Sequence, residues 1–379
     1  MCTLMLSSLV FGLALAHKSL ILLEPVSSEG PLLQVPNRPS AFLGYDAEVS
    51  RHIGELARLQ PMQTMQYRGR IHVGNPLVDL MVIFDTGSCN LLLLDCAENC
   101  PDSRYSVENS HSEVELNVPL FVGFGTGRVK GREALERVKI MGHEMVDQIV
   151  GIVSEVRGSR RLYDELQGIL GFNFPAMSMS KERNSAVVNL MKEVPSKMFS
   201  FYLSDVGSSA FYLGNGTQDL PELHSPDTHR YDVVGVPQYW EIELRAVYVG
   251  DTKLCCDDQK GTAILDSGSN FNSFPSAEHA HHFKGLTSEK VRYVLPDGFE
   301  IVVSPEDYLL PPRENGMQKA AFMPLDPVGA HGAKAYVFGS KLFFTKFFVN
   351  FQMGVSPFVE LSASFHDAQT ESFIKKHSV

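Results

Sequence analysis

The chain opens on an apolar run, MCTLMLSSLVFGLALAHK, closed by the small-x-small pattern Ala14-Leu15-Ala16. That combination predicts a signal peptide over residues 1–16. From His17 to about Met62 prolines punctuate the chain and periodicity is weak, with only SRHIGELARLQ spaced as a short helix. After Gln66 the pattern changes. YRGRIHVGNPLVDLMVIFD reads as a strand, a Gly-Asn-Pro turn and a second strand. Short strands parted by Gly-rich turns continue through LFVGFGTGRVKGREAL, VKIMGHEMVDQIVGIV, MFSFYL and SAFYLG. Helical spacing is rare and best seen in SAVVNLMKEV and SAEHAHHFKG. The pattern predicts a mainly β protein.

The apolar runs also repeat. One meets Asp-Thr-Gly-Ser at Asp85, and another meets Asp-Ser-Gly-Ser at Asp266, 181 residues later. Each is followed by a second apolar segment ending in Gly, at Gly171 and Gly339, after gaps of 86 and 73 residues. Two halves of similar plan predict a pseudo-twofold pair of lobes, residues 63–216 and 217–379. The weakly patterned NGTQDLPELHSPDTHR reads as the connection between them.

Each half therefore sets one acid inside an apolar run, where a lone ionised carboxylate is very costly. Asp85 and Asp266 resolve this if they face each other across the lobes and share one proton. One carboxylate then takes a proton from a water while the other donates one to the carbonyl that the water attacks. Gly87 and Gly268 let the backbone come close to the carboxyls. Ser88 and Ser269 offer hydroxyls to the outer carboxyl oxygens, and Thr86 and Ser267 can bond across the interface.

On these residues the sequence resembles the pepsin-like aspartic proteases, from about Tyr67 to Ser364. The stretches that carry the likeness are YRGRIHVGNPLVDLMVIFDTGS, GFGTGRVKG, GILGFNFP, MFSFYL, QYWEIEL, AILDSGS, LPDGFEIVVSPEDYLL and VFGSKLFFTKFFVNF. The resemblance implies a bilobal all-β fold with a cleft that holds an extended polypeptide. It implies a shared-proton pair at Asp85 and Asp266, with no cofactor and no metal. It makes Phe124, Gly125 and Thr126 the tip of a flap over the cleft, and Tyr239 with Trp240 a substrate-side wall. Residues 17–62 become a propeptide that crosses the cleft, with Arg38, Arg51 and Arg58 as candidates to cap the acids. Four positions depart from the family. Phe124 stands for the flap Tyr and Leu92 for its Trp partner, Gln167 replaces an acid before GILG, and one residue is inserted after Ser340.

Composition changes this picture little. Of 379 residues 44% are apolar and 20% charged, and the net charge is −11, which argues against nucleic acid as a partner. No run after the first approaches the roughly 20 apolar residues of a membrane span. A monomer in the secretory route, secreted or vacuolar/lysosomal, is expected. Cys96 and Cys100 can close a small disulfide loop, while the pairing of Cys89, Cys255 and Cys256 stays open. Asn215-Gly216-Thr217 is a glycosylation sequon. The histidines of EHAHHF read as a polar helix face rather than a metal site, and GHEMVD lacks the second histidine of a zinc-protease helix. The rival to an active endopeptidase is a catalytically silent peptide- or protein-binding relative, suggested by Phe124 and Leu92.

Overall fold

The structure, a computed structural model, describes residues 20–27, 34–35, 65–96, 104–124, 127–158, 167–180, 183–256, 261–283, 288–310, 312, 318–327 and 329–377. The expected signal peptide, the three capping arginines, Cys100, Gly125 and Thr126 lie outside these residues.

Alternating and apolar stretches become strands. The N-terminal half holds Leu20–Ser27 (β1), Gln34–Val35 (β2), Met65–Val73 (β3), Val78–Asp85 (β4), Leu91–Leu94 (β5), Val114–Phe124 (β6), Gly127–Ile140 (β7), His143–Gly158 (β8) and Gly168–Gly171 (β9). Helix Ala186–Glu193 (α1) leads into Met198–Tyr202 (β10) and Ser209–Leu213 (β11). The one-turn helix Gly216–Asp219 (α2) precedes His224–Asp232 (β12). The C-terminal half adds Glu241–Leu244 (β13), Ala246–Val249 (β14), Thr252–Cys255 (β15), Gly261–Leu265 (β16), Asn272–Phe274 (β17), Val291–Val294 (β18), Glu300–Val303 (β19) and Phe322–Pro324 (β20). Lys334–Phe338 (β21), Phe347–Gln352 (β22) and Phe358–Ser364 (β23) complete it, with helices Ser276–His282 (α3), Pro305–Tyr308 (α4) and Ala368–His377 (α5).

The architecture is the expected all-β, bilobal one. Fourteen strands form one sheet in the order β12-β23-β22-β10-β11-β1-β3-β4-β9-β5-β8-β7-β6-β2, and β13-β16-β21 is a separate three-stranded sheet. The repeat is visible in the pairing. β4 runs parallel to β9 with Asp85 opposite Gly171, and β16 runs parallel to β21 with Leu265 opposite Phe338. Each acid thus sits at the end of a buried strand that a later apolar-Gly segment flanks. β6 and β7 form a long hairpin paired as far as Phe124 and Gly127.

Beneath the two acids lies an aromatic core. The rings of Phe84, Phe172, Phe199, Phe201, Phe211, Trp240 and Phe351 pack at centroid separations of 4.8–6.2 Å for the pairs Phe172–Phe211 and Phe199–Phe201 at either end of that range. Edge-on and tilted ring pairs contribute about 0.5–1.5 kcal/mol each beyond area burial. Trp240 has no exposed surface, and its indole N–H donates to the Phe172 carbonyl at 2.8 Å. It is therefore core and not the cleft wall expected above, because an N–H donor is best buried where a carbonyl of the other half meets it.

Two further expectations change. The segment read as weakly periodic contains β1 and β2, and β1 lies in the middle of the large sheet. The connection NGTQDLPELHSPDTHR is ordered as α2 and β12, and β12 pairs with β23.

Trp240→Phe removes the donor to Phe172 and leaves a gap among the rings. The expected loss is about 2–4 kcal/mol, read as a lower urea midpoint at unchanged m-value. A loss under about 0.5 kcal/mol would show that the indole carries no part of the interlobe packing.

Candidate active site

Asp85 is the last residue of β4 and Asp266 follows β16, and both carboxyls are fully buried. The two strands end facing one another. A Cβ on Gly87 would stand 2.5 Å from the Asp266 carboxyl carbon, so only glycine lets the second acid approach this loop. At Gly171 a Cβ would meet the Cys89 backbone at 2.5–2.6 Å, which explains why the apolar segment that flanks β4 ends in Gly.

The carboxyls are held almost symmetrically. Asp85 Oδ1 accepts from the Gly87 N–H at 2.8 Å and Oδ2 from the Ser88 hydroxyl at 2.5 Å. Asp266 Oδ1 accepts from the N–H groups of Gly268 at 2.9 Å and Ser269 at 3.0 Å. Here the second half departs from expectation. The Ser269 hydroxyl points to the Phe271 carbonyl at 3.4 Å, and only its backbone N–H bonds the Asp266 carboxyl. No described protein group donates to Asp266 Oδ2.

Thr86 and Ser267 lock the halves together. The Thr86 hydroxyl donates to the Leu265 carbonyl at 2.8 Å and accepts from the Ser267 N–H at 2.9 Å. The Ser267 hydroxyl donates to the Phe84 carbonyl at 2.8 Å and accepts from the Thr86 N–H at 3.0 Å. These four bonds join residues 179–183 apart in sequence.

The electrostatics follow from burial. Desolvation raises Asp85, opposed by the bonds from Ser88 and Gly87. Desolvation raises Asp266 as well, and the Asp85 charge adds to it. Two carboxyls buried this close together favour one shared proton over two charges, so they titrate as a pair. Tyr239 is buried close by. Burial pushes its phenol well up, followed by the carboxylates of Asp266, Glu241 and Asp85.

The other residues named from sequence have varied settings. Phe124 and Leu92 are both buried in one apolar cluster with Leu120, Val122 and Ile169. Gln167 accepts from the Met81 N–H at 2.5 Å, a role in the β4–β5 region that needs no charge. Cys96 is disulfide-bonded, Cys255 and Cys256 are bonded to each other, and Cys89 is a buried thiol. Asn215 caps α2, and its Oδ1 accepts from the Thr217 hydroxyl at 2.8 Å. His279 is buried and its Nε2–H donates to the Phe322 carbonyl at 3.0 Å, whereas His281 and His282 are not buried. His143 and Asp147 lie on β8, not on a helix. Among the described residues no group of three or more His, Cys, Asp or Glu could hold a metal ion, and no helix is long and apolar enough to cross a membrane.

Sequence reasoning missed the outer support. Ser340 donates its hydroxyl to the Ser267 carbonyl at 2.6 Å and its N–H to the Ser269 carbonyl at 2.7 Å. Asn173 does the second of these in the first half, its N–H bonding the Ser88 carbonyl at 2.8 Å. Asn90 accepts from the Met179 N–H at 2.9 Å through Oδ1. The available signal was that Asn173 and Ser340 both lie just beyond the two apolar-Gly segments.

A sequence profile described as Eukaryotic aspartyl protease matches residues 66–358. The chain is 29% identical to Aspartic protease 3 of Toxoplasma gondii over 83% of this chain and 52% of that protein. It is 24% identical to Plasmepsin IX of Plasmodium falciparum over 83% of this chain and 64% of that protein. With Pepsin A of Bos taurus it shares 27% identity over 80% of this chain and 88% of the other. The match thus spans between half and two thirds of the first two relatives.

The cross-lobe bonds give a direct test. Thr86→Val keeps the shape but strips the donor to Leu265 and the acceptor for Ser267, at an expected cost of about 2–5 kcal/mol. Ser267→Ala should cost a similar amount. The double variant should cost less than the sum by about 0.5–3 kcal/mol. Additive losses in urea unfolding would mean that the two hydroxyls do not act as one lock.

Proposed function

The chain belongs to the eukaryotic aspartyl protease family, and from that premise we propose that it is an active endopeptidase with Asp85 and Asp266 as its acid–base pair. The observation that carries this reading is the meeting of two fully buried carboxyls, each on its own strand end and each held by its own loop. A pure binding protein gains nothing from keeping two costly buried acids face to face.

In the reaction a water lies between the carboxyls. Asp85, stabilised as the anion by Gly87 and Ser88, takes a proton from it. The water oxygen attacks the peptide carbonyl while protonated Asp266 donates to the carbonyl oxygen, giving a tetrahedral diol. Collapse of the diol returns a proton to Asp266 and passes one from Asp85 to the leaving amine. No covalent enzyme intermediate forms. An extended polypeptide lies under the hairpin of β6 and β7, with Phe124, Gly125 and Thr126 as its tip. In the same reading residues 1–16 direct secretion, residues 17–62 form a precursor segment, Cys96 pairs with Cys100, and Asn215 is a glycosylation site.

Asp85→Asn and Asp266→Asn should each lower kcat on a denatured protein substrate by about 10³-fold or more. Both should stay folded, and the wild type should be inhibited by pepstatin-type compounds, which mimic the diol. Near-normal turnover in either variant would falsify the assignment, and an inactive wild type would favour the silent relative. The dyad also predicts a pH trend in stability. Burial raises both folded-state carboxyls above their unfolded values. Their stabilising contribution is complete below about pH 4 and is lost as pH rises through the raised values. Asp266→Asn cannot ionise, so its Tm should gain on the wild type between pH 4 and pH 7.

The altered flap is tested by kcat/KM. Phe124→Tyr alone adds a hydroxyl without a designated partner and should change the rate less than about threefold. Leu92→Trp alone should be worse, because Leu92 is already tightly packed: a Cβ on Gly151 would come within 2.6 Å of its Cδ2. The double variant should beat the sum of the singles by up to about 1 kcal/mol. Additive changes would show that the two side chains do not face each other.

A further inference from the structure

The hairpin of β6 and β7 has two faces of opposite character. Leu120, Val122 and Phe124 alternate inward on β6, and with Val129 of β7 they lie in the apolar cluster that holds Leu92. The residues between them point the other way. On that outer face Phe121 is 56% exposed and sits opposite Lys130, whose ammonium stands 6.0 Å from the ring centroid. Gly123 sits opposite Arg128, so no side chain of β6 flanks that guanidinium. β8 continues both rows, with Glu155 opposite Lys130 and Arg157 opposite Arg128.

The charges on this face do not balance. Arg128 and Arg157 are exposed and directly opposed across β7 and β8, and like charges so placed destabilise a sheet. Glu155 is shared between Lys130, at 3.6 Å, and Arg157. Among the described residues of this small surface three cations thus meet one anion, in a chain whose 44 acids outnumber its 33 Lys and Arg. Further along β7 the excess ends, because Arg132 is neutralised by Glu113 at 2.6 Å and by Glu115 at 3.7 Å. The missing counter-charge has a natural source. Side chains on one face of an extended polypeptide recur about every 7 Å, the spacing of Arg128 and Lys130 along β7. The net charge of −11 repels a partner that is acidic throughout, so the fit is to a local acidic stretch.

We propose that the outer face of the β6–β7 hairpin is a docking surface for an extended acidic stretch of the polypeptide substrate, held by Arg128, Lys130 and Arg157 beside the exposed ring of Phe121. The stretch binds on the face turned away from the apolar cluster, so it selects among polypeptides by a feature remote from the bond that is cut. This rests on the reading of the chain as an endopeptidase, but the test reads binding and needs no catalysis.

The full chain carrying Asp85→Asn is titrated into a labelled peptide of about ten residues, alternating Glu and Thr, and fluorescence anisotropy is read. We expect a Kd below about 100 µM at about 20 mM salt, weakened at least about tenfold at about 200 mM. The same peptide with Lys for Glu should not bind. Arg128→Glu in this parent should weaken binding about tenfold or more. Its Tm should stay equal or rise, because the new acid faces Arg157. Arg157→Gln removes the opposition from the other strand, and should weaken binding about threefold or more at no loss of Tm. Lys376→Glu makes the same charge change as Arg128→Glu at an exposed position of α5, and should weaken binding less than about twofold. No binding of the Glu–Thr peptide overturns the proposal. So do equal losses in Arg128→Glu and Lys376→Glu, or binding unchanged in both arginine variants. A heparin oligosaccharide that binds where the peptide does not would make the partner a glycan and overturn it too. An inactive wild type bears only on Asp85 and Asp266 and alters none of these outcomes.

Discussion

Four hydrogen bonds between Thr86 and Ser267 are the constraint on which the rest depends. Each hydroxyl accepts from the other residue's backbone N–H and donates to the carbonyl of the residue just before the other half's acid. Neither hydroxyl can leave without orphaning two buried backbone groups, and an orphaned group costs far more than a formed bond returns. The bonds therefore set position more than they add stability. They fix the ends of β4 and β16 against each other, and the acids attached to those ends inherit the separation. The aromatic core from Phe84 to Phe351 then holds the strands from beneath, so the acids meet on a base that resists shear.

The same constraint explains why the acids are tolerable. Two buried carboxyls at this spacing are too costly to ionise together and cheap to hold as one anion and one acid. The loop around Asp85 supplies a hydroxyl and an N–H, while the loop around Asp266 supplies two N–H groups and leaves one oxygen unserved by the described protein groups. The asymmetry arises from one residue. Ser269 bonds through its backbone where Ser88 bonds through its side chain, so near-identical motifs hold their carboxyls with different donors.

Much of this was legible along the chain. The repeat at Asp85 and Asp266 is a pattern of residue types, and alternation marked most strands from β3 onward. The features that stayed hidden depend on partners far away. β1 reads as an apolar run with a proline, and only Tyr212 and Arg68, distant in sequence, make it a central strand. Trp240 resembles a cleft residue until the Phe172 carbonyl is seen to receive its N–H. The hydroxyl of Ser269 had two acceptors in reach, and sequence does not rank them. Cys89, Cys255 and Cys256 offered alternatives that only the course of β15 and the burial of Cys89 separate.

The flap shows how one contact can be rebuilt from different physics. Where the family pairs two side chains through a hydrogen bond, this chain buries Phe124 and Leu92 in a shared apolar cluster. A hydrogen bond is directional and loses its value within a fraction of an ångström or a few tens of degrees. Apolar burial scales with area and tolerates sliding. A hairpin docked by burial alone can shift along the cluster at little cost while it stays down. The hairpin and the acid pair are thus held by separate contacts, the one by the apolar cluster of Phe124 and Leu92 and the other by Thr86 and Ser267.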